Sequence, residues 1–199
     1  MKNQIDNNDV FQCIQTLERI PDKSEWKTTT SKVFKLNLAQ FFNKKEKQDW
    51  VEIGAAQGHT TLFISGLANK VLSIDYDEKN CNLIDELSLS NVETSAADLY
   101  SKEFRDFMQN SKFDVAIIDA NHDEEYVKID ISNCINAGIK TFIFDDYGSS
   151  TGTKSAVDGF IDDLNEPKVS YIGMPPGTLY PNTQNKVLQE WEGVIVEIK

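Results

Sequence analysis

Residues 50 to 75 constrain the fold of this chain more than any other stretch. Trp50–Val51–Glu52–Ile53 is an apolar run with one acidic interruption, and it leads straight into Gly54–Ala55–Ala56–Gln57–Gly58. A helical pattern follows from His59 to Leu67, and a second apolar run, Val71–Leu72–Ser73–Ile74, ends in Asp75. Strand, small-residue loop, helix and strand in this order make a β–α–β unit on a parallel sheet. Gly54 can take backbone angles that a Cβ forbids, and Gly58 lets the helix start close to a ligand. Asp75 falls at the tip of the neighbouring strand, where a carboxylate can accept hydrogen bonds from both hydroxyls of a ribose. The spacing predicts a nucleoside-containing cofactor across the ends of two parallel strands. A tight strand-to-helix turn with no ligand is the alternative.

What the loop lacks narrows the nucleoside. A dinucleotide loop has the pattern G-x-G-x-x-G, which lets backbone N–H groups approach a pyrophosphate. Here the pattern is Glu52-x-Gly54-x-x-x-Gly58, with Ala55 and Ala56 inside it. An acidic residue two positions before the first glycine repels phosphate and suits a cationic amino group. The loop resembles motif I of class I S-adenosylmethionine-dependent methyltransferases. That cofactor has ribose hydroxyls, an α-amino group and no phosphate. The resemblance implies cofactor contacts at Glu52, Gly54, Ala55, Gly58, Asp75 and Tyr76, with Asp98 near the adenine.

The chain has 199 residues, 40% hydrophobic and 26% charged, which fits one soluble globular domain over 1–199. Residues 1–45 read as an N-terminal helical segment packed on it. A formal charge of −12 argues against nucleic acid or an anionic membrane as the main partner. Cys13, Cys81 and Cys134 are widely spaced and odd in number, as expected of reduced thiols in a cytoplasmic protein. The first nine residues contain no apolar signal region, and no apolar run approaches the roughly 20 residues needed to span a bilayer.

Strand and helix patterns alternate from about Asp49 to Asn165. Ahead of them, Val10, Ile14 and Leu17 mark a helix behind an Asn8/Asp9 cap, ended by Pro21. Thr28–Ser31 can cap a second helix with Phe34, Leu38 and Phe41 on its buried face. Further strands are expected at Val71–Ile74, Val92–Ala96, Val115–Ile118, Thr141–Phe144, Val169–Gly173 and Gly193–Ile198. The loop with Pro175–Pro176–Gly177 and Pro181 is too short for a helical crossover, so the last two strands should run antiparallel. This again resembles the class I methyltransferase fold. It implies a Rossmann-like α/β architecture, a mostly parallel seven-stranded sheet with an antiparallel last strand and helices on both faces.

A second constellation follows the fourth and fifth strands. Phe113–Ile118 ends in Asp119–Ala120–Asn121–His122, and Phe142–Phe144 ends in Asp145–Asp146–Tyr147. In a parallel sheet the carboxyl ends of successive strands share one rim, so three carboxylates should converge beside Gly54 and Asp75. Their mutual repulsion is relieved by a divalent cation, and hard carboxylate oxygens suit Mg²⁺ or Mn²⁺ better than zinc. Asp119-x-x-His122, followed by Tyr126 and Asp130, and then Asp145-Asp146-Tyr147, is similar to the metal-dependent small-molecule O-methyltransferases. The nearest branch contains the macrolide-sugar O-methyltransferases. The resemblance implies Mg²⁺ held by Asp119, Asp145 and Asp146, with His122 as base on an acceptor hydroxyl. The catechol-type enzymes have Asp-Asn at the second cluster and usually a lysine base, which this chain lacks there.

Other readings stand beside these. Asp119 and Asp145 could cap helices, Asp98 could cap the Ser101–Met108 helix, and His122 could be a surface loop residue. His59 reads as a surface or capping residue. Trp26 and Thr28–Thr30 could close over the cofactor or pack the N-terminal helix. The expected activity is S-adenosylmethionine-dependent O-methylation of a small hydroxylated acceptor such as a sugar. The alternatives are a nucleic-acid methyltransferase, a non-catalytic cofactor-binding protein and a nicotinamide-dependent oxidoreductase. The oligomeric state is open, a homodimer included.

Overall fold

The structure is a computed structural model. It describes residues 4–21, 29–179 and 187–199. Trp26, Thr28 and Pro181 lie outside the described residues.

The fold is built on strands buried on both faces. In β1 (Asp49–Ile53), β4 (Val115–Ile118), β5 (Thr141–Phe144) and β7 (Gly193–Glu197), nearly every position is inaccessible. Successive side chains point to opposite faces, so a strand without exposed positions needs a layer on each side. Two apolar cores supply them. Trp50, Val115, Ile117, Ile143 and Ile195 share one core with Phe34, Leu38 and Phe63. Val51, Ile53, Ala116, Ile118, Phe142, Phe144, Val194 and Val196 share the other with Phe104, Val127, Val157 and Phe160.

With β2 (Lys70–Asp75), β3 (Val92–Ala96) and β6 (Lys168–Ile172), the sheet has seven strands in the order β3-β2-β1-β4-β5-β7-β6. The first five are parallel neighbours, and β7 runs antiparallel to both β5 and β6. This is the expected architecture, and the short connection between β6 and β7 explains the reversal. β1 lies at the centre, so the loop after it meets the loops after β2 and β4.

The helices are α1 (Asn7–Thr16), α2 (Lys32–Phe42), α3 (His59–Ile64), α4 (Glu78–Glu86), α5 (Lys102–Asn110), α6 (Glu124–Asn136) and α7 (Thr151–Asp163). The cap of α1 is Asp6 rather than Asn8 or Asp9. Its carboxylate accepts from the N–H groups of Asn8 and Asp9, while the Asp9 carboxylate accepts from the N–H of Asp6. The helix stops at Thr16, well before Pro21. Ser31 caps α2 and also donates to the buried Glu192 just ahead of β7, which ties the helix start to the sheet. The buried face of α2 includes Lys35, which is fully inaccessible, while Phe41 is only half-buried. Lys35 Nζ donates to Thr29 Oγ1 at 3.0 Å and to Thr30 O and Oγ1, both at 2.6 Å.

The three cysteines are free and buried, on α1, α4 and α6. Burial pushes the Cys13 thiol up to about 12 and raises Cys81 and Cys134 as well, so they are inert thiols. Among the described residues, no helix is long and apolar enough to cross a membrane.

Candidate active site

A cavity of about 840 Å³ opens at the carboxyl ends of β1 to β5. Its wall contains Gly54, Asp75, Tyr76 and Asp98 together with Asp119, His122, Asp145 and Asp146. Glu52, Ala55 and Gly58 are not part of that wall.

The half over β1, β2 and β3 is shaped by backbone. Gly54 has φ +91, and a Cβ there would sit 2.3 Å from the carbonyl oxygen of Asp119. This glycine therefore permits the β1 and β4 loops to touch, in addition to its unusual backbone angle. The N–H groups of Gly54 and Ala55 both donate to Ile74 O, and the N–H of Ala56 donates to Asp75 Oδ2 at 2.8 Å. Asp75 Oδ1 accepts from Asp77 N–H at 2.9 Å and from Asn80 Nδ2 at 3.1 Å. A carboxylate has about four acceptor positions, so Asp75 is fixed in direction and keeps capacity for a ligand. Gly58 begins α3 at φ +78, and a Cβ there would meet Ile84 of α4 at 2.6 Å. Its smallness serves helix packing. His59 is the first residue of α3, just after the cap residue Gly58. Burial and the Lys35 charge lower its pKa.

Glu52 points into the core that holds α3. Its Oε2 accepts from Thr61 Oγ1 at 2.5 Å and from Ser73 Oγ at 2.8 Å, and burial pushes its carboxyl up to about 7. Asp98 accepts from the N–H of Tyr100 at 3.0 Å, and Ser101 is the cap of α5. The capping alternative for Asp98 therefore does not apply.

The half over β4 and β5 is shaped by side chains. Asp119 and Asp145 cap no helix, since α6 is capped by Asp123 and α7 by Ser150. One ligand atom from each of Asp119, His122 and Asp146 lies within 4.8 Å of the others. Asp145 reaches the same cavity from a position 2% exposed, and His122 takes its place in that tight group. Asp146 has φ +53, a left-handed conformation in which its Oδ1 accepts from Ser149 Oγ at 2.5 Å. His122 Nε2 lies 3.6 Å from Asp146 Oδ2, an electrostatic contact too long for a hydrogen bond. Its side chain is 44% exposed and therefore open to a ligand. The loop that carries it is clamped by α7. Ser150 Oγ donates to His122 O at 3.0 Å, and a Cβ on Gly152 would be 2.3 Å from that oxygen.

Sequence reasoning missed Asn80 and Tyr100, both of which face the cavity. Asn80 and Tyr100 lie a few residues past the ends of β2 and β3, a position that signals the ligand rim of any parallel sheet. Thr29, in the run read as able to close over the cofactor, reaches the cavity from ahead of α2.

Solved structures share this architecture. SMU.1697c of Streptococcus mutans, crystallised with SAH, matches with a TM-score of 0.55 at 16% identity, over 76% of this chain and 88% of that one. PH1948 of Pyrococcus horikoshii, a proposed RNA methyltransferase, matches with a TM-score of 0.55 at 13% identity, over 96% and 100%. Fibrillarin of Aeropyrum pernix, with natively bound S-adenosyl-L-methionine, matches with a TM-score of 0.53 at 13% identity, over 77% and 67%. At these identities the likeness is one of fold. No curated protein is significantly similar in sequence. A family model described as a methyltransferase domain matches residues 51–140, which span β1 to the start of β5 and contain Gly54, Asp75, Asp119 and His122. Residues 51–140 are thus similar to a methyltransferase domain, and the fold is the one these solved structures share.

Proposed function

We propose that this protein is an S-adenosylmethionine-dependent O-methyltransferase that acts on a hydroxyl of a small molecule such as a sugar. One observation carries the reading. A single cavity joins a ribose-type carboxylate, Asp75, to an exposed imidazole flanked by carboxylates, His122 with Asp119 and Asp146. Its volume suits a small ligand pair, and among the described residues its wall holds five aspartates and no lysine or arginine. That charge favours a small acceptor over the phosphate backbone of RNA.

In this reading Asp75 receives the ribose hydroxyls, Tyr76 and Asp98 flank the adenosine, and the Gly54–Gly58 loop supplies a close backbone surface. The cofactor, when bound, supplies an electrophilic methyl group. His122 removes the acceptor's hydroxyl proton as neutral imidazole, and Asp146 stabilises the imidazolium that forms. Glu52, bonded to Thr61 and Ser73, holds the motif loop against α3 and acts on the cofactor from behind. The hard oxygens of Asp119 and Asp146, with Asp145 beside them, fit Mg²⁺ or Mn²⁺, which would supply Lewis-acid stabilisation of a developing alkoxide. The buried free thiols support a reducing, cytoplasmic setting.

A second reading has His122 as a metal ligand, because it is one of the three converging donors. The two are separable. In the base reading His122→Ala loses turnover and keeps Mn²⁺ affinity; in the ligand reading it loses both. The test of function itself is SAH release from a panel of hydroxylated sugars and alcohols, with and without Mg²⁺, beside RNA. Release from RNA alone would overturn the small-molecule assignment.

A further inference from the structure

Asp130, in the middle of α6, is fully buried, and among the described residues neither of its carboxyl oxygens has a hydrogen-bond partner. Burial alone pushes this carboxyl up to about 7. An acid in such surroundings does nothing for its own helix, since an unpaired polar group in a core costs free energy. Its effect must be sought in what lies beside it.

Beside it is a second orphan. The hydroxyl of Tyr100 is buried and, among the described residues, also has no partner. Tyr100 belongs to the loop between β3 and α5, and its side chain forms part of the cavity wall next to Asp98 and Leu99. Its ring packs on Tyr126 with centroids 4.4 Å apart. Tyr126 precedes Asp130 by four residues on α6, so both lie on the same helix face. Burial first, and then the Asp130 charge, raise the Tyr100 phenol, in keeping with the placement of both beside Tyr126. Tyr100 thus spans the gap between the β3 loop, on the cofactor side, and α6, which follows the His122 loop.

Resting on the cofactor reading above, we propose that Asp130 is a positioning residue for the cofactor: when the cavity is filled its carboxyl accepts a hydrogen bond from the Tyr100 hydroxyl, which locks the Tyr100 ring as the wall between the adenosine and acceptor halves. The physical logic is differential. Two buried polar groups lack partners in the free protein, and a ligand that presses on the Tyr100 ring and closes the pair recovers that cost on binding. Affinity is therefore coupled to a residue that never touches the ligand.

The test is a double-mutant cycle read by SAH affinity in calorimetry and by thermal melting of the same full-length proteins. Tyr100→Phe and Asp130→Leu should each weaken SAH about tenfold, and the double variant should also lose about tenfold rather than the hundredfold product. Asp130→Leu should melt at or above the wild-type temperature, because it removes an unpaired buried acid. That opposition between stability and affinity is one that a merely structural role would not produce. Asp130→Asn, whose amide oxygen can still accept from the phenol, should stay within about threefold of wild type. Asp130→Ala serves if the leucine variant does not fold. Wild-type affinity in Tyr100→Phe, or multiplicative losses in the double variant, would overturn the proposal while leaving the cofactor reading intact. A wild type that binds no SAH would overturn that reading, and this proposal with it.

Discussion

The two halves of the cavity hold their carboxylates by different means. Asp75 is fixed by the backbone N–H groups of Ala56 and Asp77 and by the amide of Asn80, none of which titrates. Asp146 is fixed by its own left-handed backbone and the Ser149 hydroxyl, beside a histidine that can change charge. The first arrangement is held by neutral donors from the backbone and one amide. The second sets a carboxylate beside an imidazole and another carboxylate. A cofactor common to many reactions needs the former, whereas proton removal and metal binding need groups whose charge can change. The contrast matches the proposed division, with cofactor binding in one half and chemistry in the other.

The contrast breaks most severely at Gly54, where the halves touch. Gly54→Ala forces a Cβ to within 2.3 Å of Asp119 O at φ +91. We expect a loss of about 4 kcal/mol, read as a fall of about 10 °C in Tm, together with loss of both SAH binding and turnover. Gly58→Ala meets only the Ile84 side chain, and should be the milder of the two. Next in size is His122→Ala. Turnover should fall by about 10²–10⁴-fold with SAH affinity unchanged, measured by SAH release and calorimetry. A matching loss of SAH affinity would erase the division between halves. Asp75→Ala should do the reverse. SAH affinity should weaken by about 1.5–3 kcal/mol, part of it through the freed Ala56 N–H, while affinity of the second half for Mn²⁺ stays as it was.

A further prediction concerns a pH dependence that lies outside both halves. The Asp130 carboxyl titrates near 7 in the folded protein and near 3.8 as an unperturbed group. A raised folded-state value means the folded protein binds the proton more tightly, so stability is fullest at the acid end and is lost as pH rises from about 4 to about 7. The contribution is about 4 kcal/mol at most, and Asp130→Asn should flatten the melting temperature across that range. An equally steep profile in the variant would assign the dependence to another group, Glu52 being the first to examine, since burial also raises it to about 7.

The strand positions, the parallel core of the sheet and the reversal at its end were legible in the chain because they follow from local patterns. A strand buried on both faces is a largely apolar run, and β4 and β5, with β1 interrupted only by Glu52, announce themselves as such. The loop ends were legible too, because carboxyl ends of parallel strands share a rim whatever the side chains are. Helix faces were read less well. In α6 the apolar stripe includes Ile135, which is 43% exposed, while Asp130 and Asn133 are buried. Likewise Leu83 and Phe107 are exposed where Ile84 and Met108 are not. Apolarity gives the average direction of a face, and a single polar residue inside it is invisible to that average.

The sequence by itself determined the fold class, the glycine loop with its ribose-type aspartate, and the arrival of Asp119, His122, Asp145 and Asp146 at one edge. Each depends on chain-local spacing and on the fixed handedness and direction of β–α–β units. Only the tertiary structure decided which side chains meet. It turned Glu52 toward Thr61 and Ser73, buried Lys35 under Thr29 and Thr30, made Gly54 the contact between two loops, and drew His122 rather than Asp145 into the tight group with Asp119 and Asp146. The reason is that side-chain direction in a loop has no period. It is set by φ, as at Asp146, and by neighbours brought in from as far as 161 residues away, as with Ser31 and Glu192.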